Sequence, residues 1–112
     1  MEREVLEFDV QFVGAGPAGL AGAIHLAQLI QRHDAAVAKG VPGDALGEVT
    51  IAVLEKAATV GAHGISGAIM DPMALRELFP DYRQQGCPIS ADVSSDDVFM
   101  LGKDATYKGN RL

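Results

Sequence analysis

Cysteine is nearly missing from this 112-residue chain: Cys87 stands alone. A single thiol closes no internal disulfide and falls short of the about four ligands that an iron–sulfur cluster needs. Cys87 also lacks a convincing base. The three histidines, His25, His33 and His63, show no metal-ligand spacing, and no side chain qualifies as a general acid or nucleophile. The sequence therefore offers no catalytic residue and no metal ligand. Positive charge is scarce too: Lys and Arg number 9 against 15 Asp and Glu, a net charge of −6. An acidic chain without basic runs is a poor nucleic-acid binder; the charge reads as solubility, with an acidic docking surface as the alternative. No apolar stretch approaches the ~20 residues of a membrane span. The start carries no signal peptide and no Arg-rich, acid-poor leader. The first strand begins within a few residues of Met1, which suggests a native start, hence a bacterial or archaeal product, or a trimmed one. At this length the chain is one small domain or a piece of a larger one.

Glycine, by contrast, is abundant and placed with purpose. Gly14-Ala15-Gly16-Pro17-Ala18-Gly19 follows an apolar run, Phe8 to Val13, that reads as a strand. It precedes a helical pattern from Leu20 to about Lys39. A strand, a tight glycine turn and a helix N-terminus form a site for a pyrophosphate. Gly14 permits the sharp turn, Gly16 lets backbone approach the phosphates, and Gly19 lets the helix pack closely on the strand. The N–H groups of the first helical turn and the positive end of the helix dipole then face the anion. Pro17 fits that first turn, where its missing N–H is no loss.

A second strand, Val49 to Leu54, ends at Glu55. A carboxylate there accepts hydrogen bonds from the two ribose hydroxyls of a dinucleotide and repels a 2′-phosphate, which disfavours NADP. Glu55 lies 36 positions after Gly19, against the ~20 typical of the fold. The turn-rich connection Gly40-Val41-Pro42-Gly43-Asp44 accounts for the excess. Along the helix, Leu20, Ile24, Leu26, Ala27, Ile30 and Val37 form the inward stripe. Ala21, Ala23 and Ala27 allow close approach. Gln28, Gln31, Arg32 and Asp34 are expected to face water, with His25 and His33 at the surface. Gln11 is awkward: central parallel strands are apolar on both faces, so its amide must find partners or lose about 1–3 kcal/mol.

After Glu55 and Lys56, the stretch Val60 to Ala68 is rich in glycine and brings backbone close to a ligand. Asp71-Pro72 opens a short helix as N-cap and first residue, with Leu75, Leu78 and Phe79 on one face and Pro80 as its stop. Asp81 to Val93 reads as loop. Val98 to Leu101, a turn at Gly102-Lys103-Asp104, and Ala105 to Lys108 read as a β-hairpin.

Val53-Leu54-Glu55-Lys56, Gly61-Ala62-His63, Ser66-Gly67-Ala68, Asp71-Pro72 and Glu77-Leu78-Phe79-Pro80-Asp81 resemble the N-terminal region of the electron transfer flavoprotein–ubiquinone oxidoreductase family. The glycine motif is shared by many flavoproteins; the stretch from Glu55 to Tyr82 is more specific. The resemblance implies an α/β fold, a Rossmann-like βαβ FAD-binding domain of glutathione-reductase type. Residues 1–112 would be its N-terminal part, incomplete and with a C-terminal β-hairpin. It implies an oxidoreductase that takes electrons from reduced electron transfer flavoprotein and delivers them to ubiquinone, using FAD and one [4Fe–4S] cluster. By similarity Gly14, Gly16 and Gly19 hold the FAD pyrophosphate, with Ala15, Pro17 and Ala18 completing the turn. Glu55 holds the adenosine ribose with Lys56 beside it, and Gly61, Ala62, His63, Ser66 and Gly67 run along the cofactor towards the flavin. The family's cluster cysteines, quinone pocket and membrane-binding surface lie in chain outside this sequence. The implied location is the cytoplasmic side of a bacterial inner membrane, or the mitochondrial inner membrane in a eukaryote. Two alternatives are a segment of another FAD-dependent oxidoreductase and a truncated chain without independent activity.

Overall fold

Valine and isoleucine favour extended backbone, and here they form a parallel pair. The computed structural model describes residues 3–65, 67 and 69–109, in two units, 1–68 and 69–112. In the first unit β1 (Val10–Val13) lies beside β2 (Ile51–Leu54), with Val10 opposite Ile51 and Val13 opposite Leu54. Parallel strands need a crossover, and α1 (Pro17–Ala38) supplies it.

Both strands begin two residues later than their apolar runs predict, because a side-chain clip occupies the level below. The Asp9 N–H donates to Thr50 Oγ1 at 3.0 Å. The Thr50 N–H and hydroxyl both donate to Asp9 Oδ2, at 2.8 and 2.7 Å. These bonds, the hydroxyl's foremost, hold the Asp9 carboxyl below its ordinary pKa.

The helix keeps its expected inward stripe. Leu20, Ile24, Leu26, Ala27, Ile30 and Val37 are half-buried and Ala23 is buried, while His25, Gln31, Arg32 and His33 are exposed. Two expectations for this helix need correction. Gln28 and Asp34 are half-buried rather than fully solvated. Asp34 Oδ1 accepts the Leu46 N–H at 2.8 Å and Oδ2 accepts the Gly47 N–H at 3.0 Å. His33 adds a bond between Nε2 and the Asp44 carbonyl at 3.0 Å. The long crossover is thus laced back onto the helix that it leaves. Gly40, at φ 96°, turns the chain out of α1 in the left-handed region that glycine favours. Asp34→Ala should leave two loop N–H groups without their acceptor and lower stability by about 0.5–1.5 kcal/mol per bond. Urea unfolding and proteolysis within 40–48 would measure this; an unchanged midpoint with unchanged cleavage would disprove it.

Gln11 is the third correction. It is exposed, on the same strand face as Val13, while Val10 and Phe12 are half-buried on the other. One face of β1 is covered by α1 and the other is open, so the amide is solvated and has no desolvation to offset.

The second unit is sparse. The Asp71 carboxylate accepts the Met73 N–H at 3.0 Å, and Pro72 is the N-cap of α2 (Met73–Leu78) rather than its first residue. Leu75, Leu78 and Phe79 are half-buried, as their spacing predicts. The 81–93 segment has turns without regular structure. Within it Tyr82 is buried, its hydroxyl accepting the Arg83 Nε–H at 3.1 Å, while Arg83 pairs with Asp92. β3 (Val98–Leu101) and β4 (Thr106–Gly109) form the expected antiparallel hairpin, one residue later in its return strand, and are exposed throughout. Among the described residues the buried apolar positions are Ala15, Ala23 and Tyr82.

Candidate functional site

Where β1 ends, the Gly14 N–H still donates to the Leu54 carbonyl at 2.8 Å. The chain then reverses through Gly14 at φ 103°, a conformation that a side chain would strain. Gly16 is the N-cap of α1, with Pro17 as its first residue, no side-chain cap and no acidic residue in the first turn. The helix's N-terminal donors and its dipole therefore remain available to an anion. A Cβ on Gly19 would collide with the Gly14 carbonyl oxygen, so that glycine is demanded by close helix–strand approach. A Cβ on Gly16 would meet no protein atom within 4 Å. Its bareness answers no internal packing need and leaves space over the turn. Gly22, which sequence reasoning passed over, makes room for the Phe12 ring: a Cβ there would lie 2.8 Å from that ring.

Glu55 leaves the end of β2 and reaches back to this turn. Its Oε2 accepts the Ala15 N–H at 3.1 Å and its Oε1 accepts the Ala57 N–H at 2.8 Å. The Ala57 amide first and the Ala15 amide next hold the carboxyl below its ordinary pKa, with a smaller contribution from His63. The group is therefore a carboxylate at neutral pH. Each oxygen keeps a further lone pair for an incoming donor.

These residues border one cleft of about 410 Å³, lined by Ala15, Gly16, Pro17, Leu20, Glu55 and the stretch from Val60 to Gly64. It lies at the carboxyl ends of two parallel strands, the position where open α/β sheets take ligands. Of the predicted residues, Ala15, Gly16, Pro17, Glu55, Gly61, Ala62 and His63 come together on its wall. Gly14 and Gly19 shape the turn behind it. Ala18 is exposed in the first turn of α1, and Lys56 and Gly67 are exposed outside the lining. Ser66 lies outside the described residues. Val60 and Gly64, part of the glycine-rich stretch expected to approach a ligand, and Leu20, read only as part of the inward helix stripe, join the wall as well. Gly61 is at φ 83°, and the Gly64 N–H closes on its carbonyl at 2.8 Å, which makes the loop a tight turn. A second hollow of about 490 Å³, lined by Leu6 to Asp9, Gln11 and Thr50, lies at the other ends of the strands. It has neither glycine turn nor helix N-terminus. No group of three or more His, Cys, Asp and Glu among the described residues could hold a metal ion.

The chain is similar in sequence to known proteins. Over 101 residues, 90% of the chain, it is 45% identical to the electron transfer flavoprotein-ubiquinone oxidoreductase of Pseudomonas aeruginosa. The chain is a homologue of part of this oxidoreductase. The mitochondrial proteins of the same name from Bos taurus and Arabidopsis thaliana are 44% identical over 101 residues and 43% identical over 105. The chain spans about one sixth of the length of these curated relatives: 16%, 14% and 15% respectively. No family model matches the chain, and no solved structure matches it. The relatives are bacterial and mitochondrial enzymes. Among the described residues no helix is long and apolar enough to cross a membrane.

Proposed function

We propose that this chain is the FAD-binding segment of an oxidoreductase passing electrons from reduced electron transfer flavoprotein to ubiquinone. In this reading the fold is the start of a Rossmann-like domain of glutathione-reductase type, and residues 1–112 are the N-terminal part of the FAD-binding domain. The observation that carries it is the cleft that joins the glycine turn, the N-terminus of α1, Glu55 and the 61–64 turn. The donor, the acceptor and the redox role come from the relatives' names. Those names also favour this family over other FAD-dependent oxidoreductases.

The residues fit the ADP half of FAD. The Gly14-to-Gly19 turn and the first turn of α1 offer backbone donors to the pyrophosphate. The Glu55 carboxylate offers its remaining lone pairs to the ribose hydroxyls. Gly61, Ala62 and His63, on the cleft wall, continue along the cofactor, and Lys56 directly follows Glu55 in the chain. Leu20, Pro17 and Val60 give the cleft wall its apolar side chains. FAD, when bound, supplies the redox chemistry; the chain supplies binding and electrostatics. The [4Fe–4S] cluster, the quinone site and the peripheral membrane surface belong to other parts of the parent enzyme. The parent would lie at the bacterial inner membrane on its cytoplasmic side, or at the mitochondrial inner membrane.

Gly16→Val tests the reading. Gly16 has an ordinary φ of −76° and open space where a side chain would go, so the variant should keep its helix content. Its side chain would occupy the pyrophosphate position, and affinity for FAD and for ADP should fall at least tenfold, about 1.4 kcal/mol. FMN, which lacks the adenosine half, should compete poorly with FAD on the wild-type chain. Equal binding by the variant, or competition by FMN equal to that of ADP, would refute the assignment.

A further inference from the structure

We propose that Glu55 is a positioning residue for the anion subsite. Held between the amides of Ala15 and Ala57, its carboxylate fixes the phosphate turn against the exit of β2 before any nucleotide arrives. The proposal rests on the reading of the cleft as an ADP-binding site. It adds that the anion subsite and the ribose subsite share one charged group.

Three observations carry it. The two carboxylate oxygens are divided between two segments, Oε2 on the turn after β1 and Oε1 on the chain after β2, at 3.1 and 2.8 Å. Ala15, the residue gripped, is only 5% exposed although its neighbours Gly16, Pro17 and Ala18 are exposed. The turn is otherwise tied to β2 by the Gly14 N–H on the Leu54 carbonyl, one residue earlier, which leaves Ala15 free to pivot. A group that merely waited for ribose would have no reason to engage the phosphate turn. A group that orders the turn lowers the conformational entropy lost when the anion binds.

Pyrophosphate separates the two roles because it has no ribose. If Glu55 only contacts ribose, Glu55→Gln should leave pyrophosphate affinity unchanged, or raise it, since a repelling negative charge is removed. If Glu55 positions the turn, the same substitution should weaken pyrophosphate as well as ADP, each at least threefold. Calorimetric titration of the chain joined to the further segments present in its curated relatives, with ADP and with inorganic pyrophosphate, reads this.

Amide exchange of the ligand-free chain provides a second readout, independent of binding. In Glu55→Gln the Ala15 and Ala57 amides should exchange at least threefold faster. The Leu20 amide, bonded to the Gly16 carbonyl at 3.0 Å, should be unmoved, which separates local release from unfolding. Glu55→Asp keeps the charge but loses one methylene of reach, and should not restore protection at both amides. Unchanged exchange at Ala15 in Glu55→Gln, full rescue by Asp, or loss of ADP affinity alone would each overturn the positioning role. If the chain joined to the further segments present in its curated relatives binds neither ADP nor FAD, the nucleotide reading fails, and the exchange result still decides whether Glu55 holds the turn.

Discussion

Gly19→Val should break the junction of β1 and α1. The new Cβ would run into the Gly14 carbonyl oxygen and stand 3.1 Å from the Gly14 carbonyl carbon. Both obstacles are backbone, and Gly14 is itself held by its bond to Leu54 at 2.8 Å. Relief requires α1 to lift from the sheet, which would open the contact of Phe12 with Gly22 and uncover Ala23. Overpacking of this severity should cost ~3 kcal/mol or more, a large share of the ~5–15 kcal/mol that stabilises an ordinary domain. The expected result is a marked loss of helical circular dichroism at 25 °C and of the cooperative urea transition, with ligand binding lost as a consequence. This differs in kind from Gly16→Val, which should remove binding and spare the fold. A Gly19→Val chain with wild-type helicity and midpoint would mean that the helix does not approach the turn as closely as described.

Much of this site was legible because its signals are local. Three glycines at fixed offsets, a strand before them and a helix after them dictate a turn whatever the remainder of the chain does. The stripe from Leu20 to Val37 was legible because burial repeats with the helix period. What escaped were contacts between residues far apart in sequence. The Asp9–Thr50 clip spans 41 positions and shortens both strands. Asp34 looks solvated by period alone, yet its carboxylate holds Leu46 and Gly47. Glu55 was placed correctly at the end of β2, but no spacing rule reports that its oxygens are divided between Ala15 and Ala57. Gln11 failed for a different reason. The rule that central parallel strands are apolar on both faces presumes that both faces are covered, and here one is open.

That open face is one of several, and they lead to the expectation that this chain alone self-associates and holds FAD poorly. Val13 is 84% exposed at the end of β1, and Ile65 is 91% exposed after the cleft loop. In the hairpin all four residues of each strand are exposed, with Leu101 at 82%. Apolar side chains left exposed in this number drive association or mark surfaces that another part of a protein covers. Short strands with open edges add a second route to association. Sedimentation velocity should show mass rising with concentration in the micromolar range, and an apolar dye should bind without denaturant. Purified chain should carry well under one FAD per polypeptide, because a cleft bordered by so little buried structure is poorly held. It should not reduce ubiquinone, since it spans only about one sixth of the length of the relatives named for that activity. Adding the further segments present in the curated relatives should bury these faces and restore flavin retention. A monomer over the full concentration range with stoichiometric flavin and quinone reductase activity would show that the exposed faces need no cover and that the cleft is complete as it stands.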